Sequence, residues 1–415
     1  MDFRLSYSPQ EEIRAIELPG SKSITNRALI INALSQRLTR IEGIARCDDT
    51  IAITDALQRC DCGHIDIGAA GTAMRFLTAY FAATPGVSLA LTGSQRMLCR
   101  PIKPLVDALL QLNANIEYLG EDGFPPLRIE GKRLRGGNIS IRGDISSQFI
   151  SALMMIGPTL QGGLNIHLLG EVVSRSYIDM TCEIMRHYGI DVKSDENLIA
   201  ISEQPYSAPD VFKVEADWSS ASYFYELVAL TDAQNIKLTG LFSSEQSMQG
   251  DSALAQLFKH FGVQTSFDDD CAVISSEKSN EKSDEVLSLN LSTTPDLVPT
   301  MVVTACLKGR RFHFSGIHNL SIKECDRIAA LKAEMQCLGY VLHCDFDSIG
   351  WDGERCIPES SPTIRTYSDH RMAMAFAPAA TIYPNLRIAD VGVVNKSFPR
   401  FWIEMRKLGI ISEEV

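Results

Sequence analysis

A strand-turn-helix junction recurs along this chain, and that recurrence limits the possible folds more than any other feature of the sequence. The junctions fall at Gly20-Ser21-Lys22-Ser23, Gly71-Thr72, Ser146-Ser147-Gln148, Ser219-Ser220, Pro295-Asp296 and Asp369-His370-Arg371. After a first gap of about 50 residues they are spaced by about 75, the mark of a repeated supersecondary unit. A second helix lies between successive junctions. Leu105, Ala108, Leu109 and Leu112 form an i, i+3, i+4, i+7 stripe, and so do Leu254, Leu257, Phe258 and Phe261. These second helices end at Asn113, Gly189, Gly262, Gly339 and Gly409, residue types that suit a left-handed C′ position. Short strand-like runs follow, such as Ile116-Glu117-Tyr118 and Leu127-Arg128-Ile129, with turn residues between them.

The unit therefore reads β-α-β-α-β-β, in about six copies. The first copy is short and lacks part of its hairpin, and the last ends after its second helix at Gly409. The strand Phe3 to Tyr7 can supply the pairing that the last copy lacks. A chain of 415 residues is long for one core. Three copies per domain place one domain at 20–216 and the other at 1–19 plus 217–415. The stretch 275–288 is polar and charged and reads as a solvated hairpin tip. If first helices pack side by side, their N-termini point the same way and together favour anions.

The first junction shows the chemistry most openly. Residues 13–18 alternate like a strand, and Ile24, Ala28 and Ile31 recur at helical spacing. Pro19-Gly20 marks the turn and Ser23 reads as the N-cap. Lys22 then stands where free backbone N–H groups and the positive helix end face outward. Arg27 follows one turn later on nearly the same face as Ser23. The arrangement suits an anion, or an ordinary capped helix with solvated charges. Nine basic residues lie in or near the junctions: Lys22, Arg27, Arg75, Arg96, Arg100, Lys323, Arg327, Arg371 and Lys396. Two ligands that each carry a phosphate and a carboxylate bring roughly six negative charges, a load that this set suits.

Composition narrows the partners. The formal net charge of -12 disfavours nucleic acid or an anionic membrane. The eleven cysteines are scattered and lack paired zinc spacing, Cys60-Asp61-Cys62 included, which points to reduced thiols in a cytosol. The N-terminus lacks signal-peptide features, and no apolar run approaches the roughly 20 residues of a membrane span. Cys47-Asp48-Asp49-Thr50 reads as a capped helix start rather than a metal site. Gly20-Ser21-Lys22-Ser23 lacks the upstream glycine of a nucleotide phosphate loop.

The motifs Leu18-Pro-Gly-Ser-Lys-Ser-Ile-Thr-Asn-Arg27, Ala70-Gly-Thr-Ala-Met-Arg75, Ser146-Ser-Gln148, Lys323-Glu-Cys-Asp-Arg327 and Asp369-His-Arg-Met-Ala-Met374 resemble, in order and over essentially the whole chain, the 5-enolpyruvylshikimate-3-phosphate synthase family. The resemblance implies the two-domain enolpyruvyl-transferase fold, an inside-out α/β barrel with three β-α-β-α-β-β units per domain. It implies transfer of the enolpyruvyl group of phosphoenolpyruvate to the 5-hydroxyl of shikimate 3-phosphate through a tetrahedral intermediate, with release of phosphate. Neither metal nor organic cofactor is needed, and a cytoplasmic monomer that closes over its ligands is expected.

The site residues follow from the resemblance motif by motif. Lys22, Ser23, Arg27, Ser146, Ser147, Gln148, Ser174, Tyr177, Asn319 and Lys323 resemble contacts to shikimate 3-phosphate, though the serines could equally be helix caps. Lys22, Gly71, Arg96, Gln148, Arg327, Arg371 and Lys396 resemble the phosphoenolpyruvate contacts, where Arg grips phosphate or carboxylate bidentately and Gly71 lets backbone approach. Asp296 resembles the group that holds the 5-hydroxyl and takes its proton; otherwise it is a cap after Pro295. Glu324 resembles the donor of a proton to the methylene carbon, a role helped by burial and opposed by nearby cations. The resemblance leaves the division of the proton transfers among Lys22, Asp296, Glu324 and Lys396 open, and His370 either shuttles a proton or holds its loop.

The chain departs from the family where Gly68-Ala69-Ala70-Gly71-Thr72 replaces the usual Gly-Asn-Ala-Gly-Thr, and where Phe76 replaces a proline. Weakened inhibition by glyphosate, which occupies the phosphoenolpyruvate pocket, is the expected result. Two other readings remain at this point. Transfer to UDP-N-acetylglucosamine would call for Lys-Asn at the first motif and an activated Cys on a mobile loop, where this chain has Lys22-Ser23 and Cys99. A non-catalytic anion-binding relative would need the cations but not Asp296 and Glu324.

Overall fold

The structure, a computed structural model, describes residues 1–10, 15–60, 62–231, 233–268, 270–277 and 285–415. It divides into two compact units, Ser21–Val214 and Met1–Gly20 with Glu215–Val415. The sequence placed the crossings near Gly20 and Asp217. Residues 13 and 14 of the alternating run, Asp61, and residues 278–284 of the expected hairpin tip lie outside the described residues.

The repeat is visible in the sheets. Among the described residues there are five four-stranded sheets and one two-stranded sheet. In the copy around Gly71, His64–Asp66 runs parallel to Ser88–Thr92, which pairs antiparallel with Leu127–Glu130, and this strand with Asn115–Tyr118. A helical crossover joins parallel strands and a hairpin joins antiparallel ones, so a β-α-β-α-β-β segment naturally gives this mixed order. The same pattern repeats in the copies after Arg142, Asp217, Asn290 and Ile364. Among the described residues each sheet is open, and none closes into a barrel.

The two irregular copies are completed by exchange. The first copy has no hairpin of its own, and its sheet is the parallel pair Arg40–Glu42 with Val211–Lys213. Ala15–Glu17, which precedes the first junction, instead pairs with Ile236–Thr239 after the fourth. The last copy takes Phe3–Tyr7 between Leu386–Ile388 and Ile410–Glu414, as its missing second hairpin requires.

In each unit the three junction helices pack on one another. In one they are Lys22–Leu34, Gly71–Ala82 and Ser147–Ile156; in the other, Trp218–Leu230, Val298–Leu307 and His370–Phe376. They are buried nearly all round, which explains their apolar sequences and weak amphipathic pattern. The expected C′ residues Asn113, Gly189, Gly262, Gly339 and Gly409 all have positive φ.

Three local expectations are corrected. The first helix starts at Lys22 with Ser21 as its N-cap, so Ser23 sits inside the first turn. Gly20 bridges to Ala216, and Ser21 is still extended immediately before the first helical residue. Cys47, not an aspartate, is the N-cap of helix Asp48–Gln58, whose first turn holds Asp48 and Asp49. The stripe at Leu254, Leu257, Phe258 and Phe261 is not one helix. A single α-turn, Leu254–Leu257, lies between 3-10 turns Gly250–Ala253 and Phe258–Phe261, because packing rather than backbone regularity decides this segment.

Candidate active site

Each unit carries its own group of junction residues. In unit Ser21–Val214, Lys22 is the first residue of its helix and its Nζ lies 3.5 Å from Asp49 Oδ2. The pair is mostly buried, so Asp49, read from sequence as a cap, instead neutralises Lys22. Arg27 is 2% exposed. Its Nε donates to Thr181 Oγ1 at 2.7 Å, Nη2 to Ser151 Oγ at 2.9 Å and Tyr177 O at 3.4 Å, and Nη1 to Ser23 O at 2.9 Å. Those bonds occupy four of its five N–H groups. The guanidinium carbon lies 5.3 Å from the Phe76 ring centroid and 5.8 Å from that of Tyr177. Burial lowers the Arg27 pKa to about 10.

Gly71 opens the next junction helix against two guanidinium groups. A Cβ there would lie 2.5 Å from Arg100 Nη1 and 2.8 Å from Arg75 Nη1. Arg75 Nη1 also donates to Gly71 O at 2.9 Å. Arg96 is exposed on the short helix Gln95–Leu98, whose cap is Ser94. Ser146 caps helix Ser147–Ile156 by accepting from Gln148 N, and Gln148 Nε2 reaches Thr72 Oγ1 at 3.5 Å. Ser174 precedes helix Arg175–His187 in the left-handed region, with φ 55°, and makes no side-chain cap bond. Within this unit the structure thus joins Ser23, Arg27 and Tyr177, and separately Gln148 with Thr72.

In the other unit the expected residues meet directly. Arg327, 1% exposed, begins helix Arg327–Cys337 and touches three carboxylates. Its Nε lies 2.8 Å from Asp369 Oδ2, Nη1 3.1 Å from Asp296 Oδ1 and Nη2 2.9 Å from Glu324 Oε2. Those three charges outweigh desolvation and raise its pKa further. Arg371 Nη2 meets Asp296 Oδ2 at 2.7 Å, and its Nη1 donates to Asp296 O at 3.3 Å. Lys396 Nζ lies 3.2 Å from Glu324 Oε1. Asp296 is therefore no helix cap: it sits in the 3-10 turn Pro295–Leu297, and two arginines hold both its oxygens. Burial lowers the Lys323 pKa. Asn319 and Lys323 lie in and just after the 3-10 turn His318–Ile322, and His370 is buried beside Asp369.

Sequence reasoning missed two acids here. Asp369, fully buried, caps helix His370–Phe376 by accepting from Arg371 N at 2.9 Å while it pairs with Arg327. Its place directly before His370 was the available signal. Asp251 accepts from Ser219 Oγ, which Arg371 Nη2 approaches at 3.4 Å; burial raises its pKa to about 7. Nothing in the sequence around Gly250 marks it. Lys323, Arg327, Arg371 and Lys396 thus face Asp251, Asp296, Glu324 and Asp369. A count of cations alone overstated the positive charge that a ligand meets. Among the described residues, His343, Asp352 and Glu354 form one exposed group of ligand-type side chains within 4.8 Å of one another. No helix of the described residues is long and apolar enough to cross a membrane.

The family model described as EPSP synthase (3-phosphoshikimate 1-carboxyvinyltransferase) matches residues 9–62 and 60–405. A 3-phosphoshikimate 1-carboxyvinyltransferase of Bacteroides fragilis is 49% identical over 411 residues, covering 98% of each chain. One from Vibrio cholerae is 34% identical over 438 residues, covering 97% of this chain and 99% of the relative. Among solved structures, an EPSP synthase from Acinetobacter baumannii superposes with TM-score 0.76 at 20% identity, covering 99% of this chain and 100% of that one. The enolpyruvyl transferase NikO from Streptomyces tendae gives TM-score 0.75 at 12% identity, over 100% of this chain and 99% of that one. At such identities the solved structures speak for the fold.

Proposed function

Because this chain belongs to the EPSP synthase (3-phosphoshikimate 1-carboxyvinyltransferase) family, we infer that it transfers the enolpyruvyl group of phosphoenolpyruvate to the 5-hydroxyl of shikimate 3-phosphate and releases phosphate. The observation that carries the chemistry is the arrangement around Asp296. Arg327 pairs with one of its oxygens and Arg371 with the other. A carboxylate so held can accept the hydroxyl proton without changing its orientation. The freed oxygen adds to C2 of phosphoenolpyruvate while the methylene carbon takes a proton. The tetrahedral adduct then loses that carbon's proton and expels phosphate. Glu324, between Arg327 and Lys396, is the proposed carrier of the proton at carbon. Arg371, Lys396, Arg327, Lys22 and Arg96 supply positive charge for the departing phosphate, and we assign Gly71 and Gln148 to it as neutral hydrogen-bonding contacts.

We assign Ser23, Arg27, Ser146, Ser147, Gln148, Ser174, Tyr177, Asn319 and Lys323 to shikimate 3-phosphate. Arg27 donates to the backbone carbonyls of Ser23 and Tyr177 and so holds these three residues together. The proposed steps are proton transfers and anion stabilisation, which these side chains supply without a cofactor. A cytoplasmic monomer is part of the same proposal, supported for compartment by eleven cysteines that form no disulfide among the described residues.

The test is phosphate release from phosphoenolpyruvate with shikimate 3-phosphate, with UDP-N-acetylglucosamine, and with neither. Release only with shikimate 3-phosphate is expected. Release with the UDP-sugar would move the assignment to the other transferase. Tight binding of shikimate 3-phosphate without release would leave an anion-binding relative.

A further inference from the structure

The turn that delivers Asp369, His370 and Arg371 is made from two successive non-glycine residues in the left-handed region, Tyr367 at φ 53° and Ser368 at φ 55°. The other five described non-glycine residues with positive φ are Asn113, Ser174, Asn235, Asn385 and Asp390, and each stands alone. Four of those five are Asn or Asp, whose short side chains tolerate this region; a tyrosine does not share that tolerance. Such a conformation persists only where its surroundings over-determine it.

The surroundings are specific. Glu334, 0% exposed, lies on helix Arg327–Cys337 seven residues after Arg327, and so on the same helical face. Its Oε1 accepts from Tyr367 Oη at 2.6 Å and its Oε2 from Arg365 N at 3.0 Å. Arg365 Nε stands 3.4 Å from Oε1. Asp369 N closes the turn by donating to Thr366 O at 2.8 Å. Beyond the turn, the same helix grips again through Arg327 and Asp369. One helix therefore holds the strained segment at 365–367 with Glu334 and at 369 with Arg327. Burial and then neighbouring Glu334 raise the Tyr367 pKa to about 12, so the hydroxyl stays a donor at working pH.

We propose that Glu334 and Tyr367 are positioning residues for the transfer reaction: they hold the left-handed turn that sets Arg371 against Asp296. Neither has a role in the site assigned above, and the proposal rests on that assignment of Arg371. Relaxation of Tyr367 and Ser368 toward ordinary φ would rotate the start of helix His370–Phe376. The Arg371 fork would then lose its alignment, and displacements of this size are costly to a site that works by orientation.

The test uses the full chain with Tyr367→Phe, Ser368→Gly and both together, reading kcat, both KM values and Tm. Tyr367→Phe is expected to lower kcat/KM for phosphoenolpyruvate by about 10- to 100-fold, with KM for shikimate 3-phosphate little changed. Ser368→Gly alone stays near wild type. In the double variant it restores much of the loss, since glycine adopts φ near 55° without strain and so lessens what the lost anchor must hold. Glu334→Gln, which keeps an acceptor, loses less than Glu334→Ala. A Tyr367→Phe enzyme within twofold of wild type overturns the proposal, as does a loss that follows only the unfolded fraction. Arg371→Lys separates the premise from the inference. If it raises KM for phosphoenolpyruvate while Tyr367→Phe is silent, the positioning role is wrong. If it leaves that KM unchanged, the assignment of Arg371 is wrong.

Discussion

Asp296 shows how much a single side chain can be asked to do. Its carboxylate neutralises parts of Arg327 and Arg371, so it competes with any incoming anion for the same guanidinium groups. Asp296→Asn keeps the shape and removes the charge. We expect kcat to fall by roughly 10²- to 10⁴-fold, the usual worth of a positioned base. Inhibition by inorganic phosphate should strengthen at the same time, because the arginines lose a competitor. Weakened phosphate inhibition would contradict this account. Ala69 and Phe76, the two departures from the family motif, separate at this scale. Ala69 is exposed in the turn before Gly71, but Phe76 is fully buried within helix Gly71–Ala82, beside Arg27. A proline at 76 removes a helical hydrogen bond and a core ring together, so a double replacement would confuse pocket shape with stability. Ala69→Asn alone restores an amide. It is expected to strengthen glyphosate inhibition by about threefold or more, in line with one added hydrogen bond, with Tm unchanged. Identical inhibition curves would remove Ala69 as a cause.

At the scale of elements, the positions of strands and helices were readable because each obeys a local rule. Asn113 and Gly189 end helices for backbone reasons that neighbours do not alter. The segment around Leu254 was misread as one helix because its regularity is given up to packing. Lys22 and Asp49, or Arg371, Ser219 and Asp251, meet only through tertiary structure, and no spacing in the chain announces them. Glu215, in the second crossing, belongs to the same unannounced class. It is 3% exposed; its Oε1 accepts from Ser247 Oγ at 3.0 Å and Met248 N at 2.9 Å, while Oε2 has no partner among the described residues. Burial raises its pKa from 4.5 to about 7. A carboxyl raised on folding binds its proton more tightly in the native state, so its stabilising contribution is complete below pH 4.5 and is lost as pH rises to about 7. Glu215→Gln removes that loss. Relative to wild type, the variant should gain on the order of 2 kcal/mol in urea unfolding between pH 4.5 and 7.5. Asp251 titrates in the same window, so a residual slope remains in the variant. A difference that does not change with pH would show that Glu215 is not neutral in the folded chain.

At the scale of the whole molecule, the exchanged strands decide which parts can stand alone. Unit Ser21–Val214 is continuous and contains both members of its smallest sheet, Arg40–Glu42 and Val211–Lys213. The other unit is not continuous. Phe3–Tyr7 is an inner strand of its sheet, paired on both edges, and Leu5 is fully buried there. Ala15–Glu17 closes another sheet, with Ile16 fully buried. A fragment of residues 215–415 lacks both strands and would leave the edges of Leu386–Ile388, Ile410–Glu414 and Ile236–Thr239 unpaired. We expect it to aggregate, while residues 21–214 fold alone. The remedy is also written in the structure. Glu414 lies opposite Phe3, and Val415 N donates to Asp2 O at 3.1 Å, so the two ends of the chain meet as neighbouring antiparallel strands. A short Asn-Gly turn suits such a junction. Residues 215–415 joined through it to residues 1–20 should give a soluble protein with a cooperative urea transition and protected amides in Phe3–Tyr7. If that permuted fragment aggregates as the plain fragment does, the missing strands are not what limits its folding. If the plain fragment folds cooperatively on its own, the exchanged strands contribute far less to this unit than their burial implies.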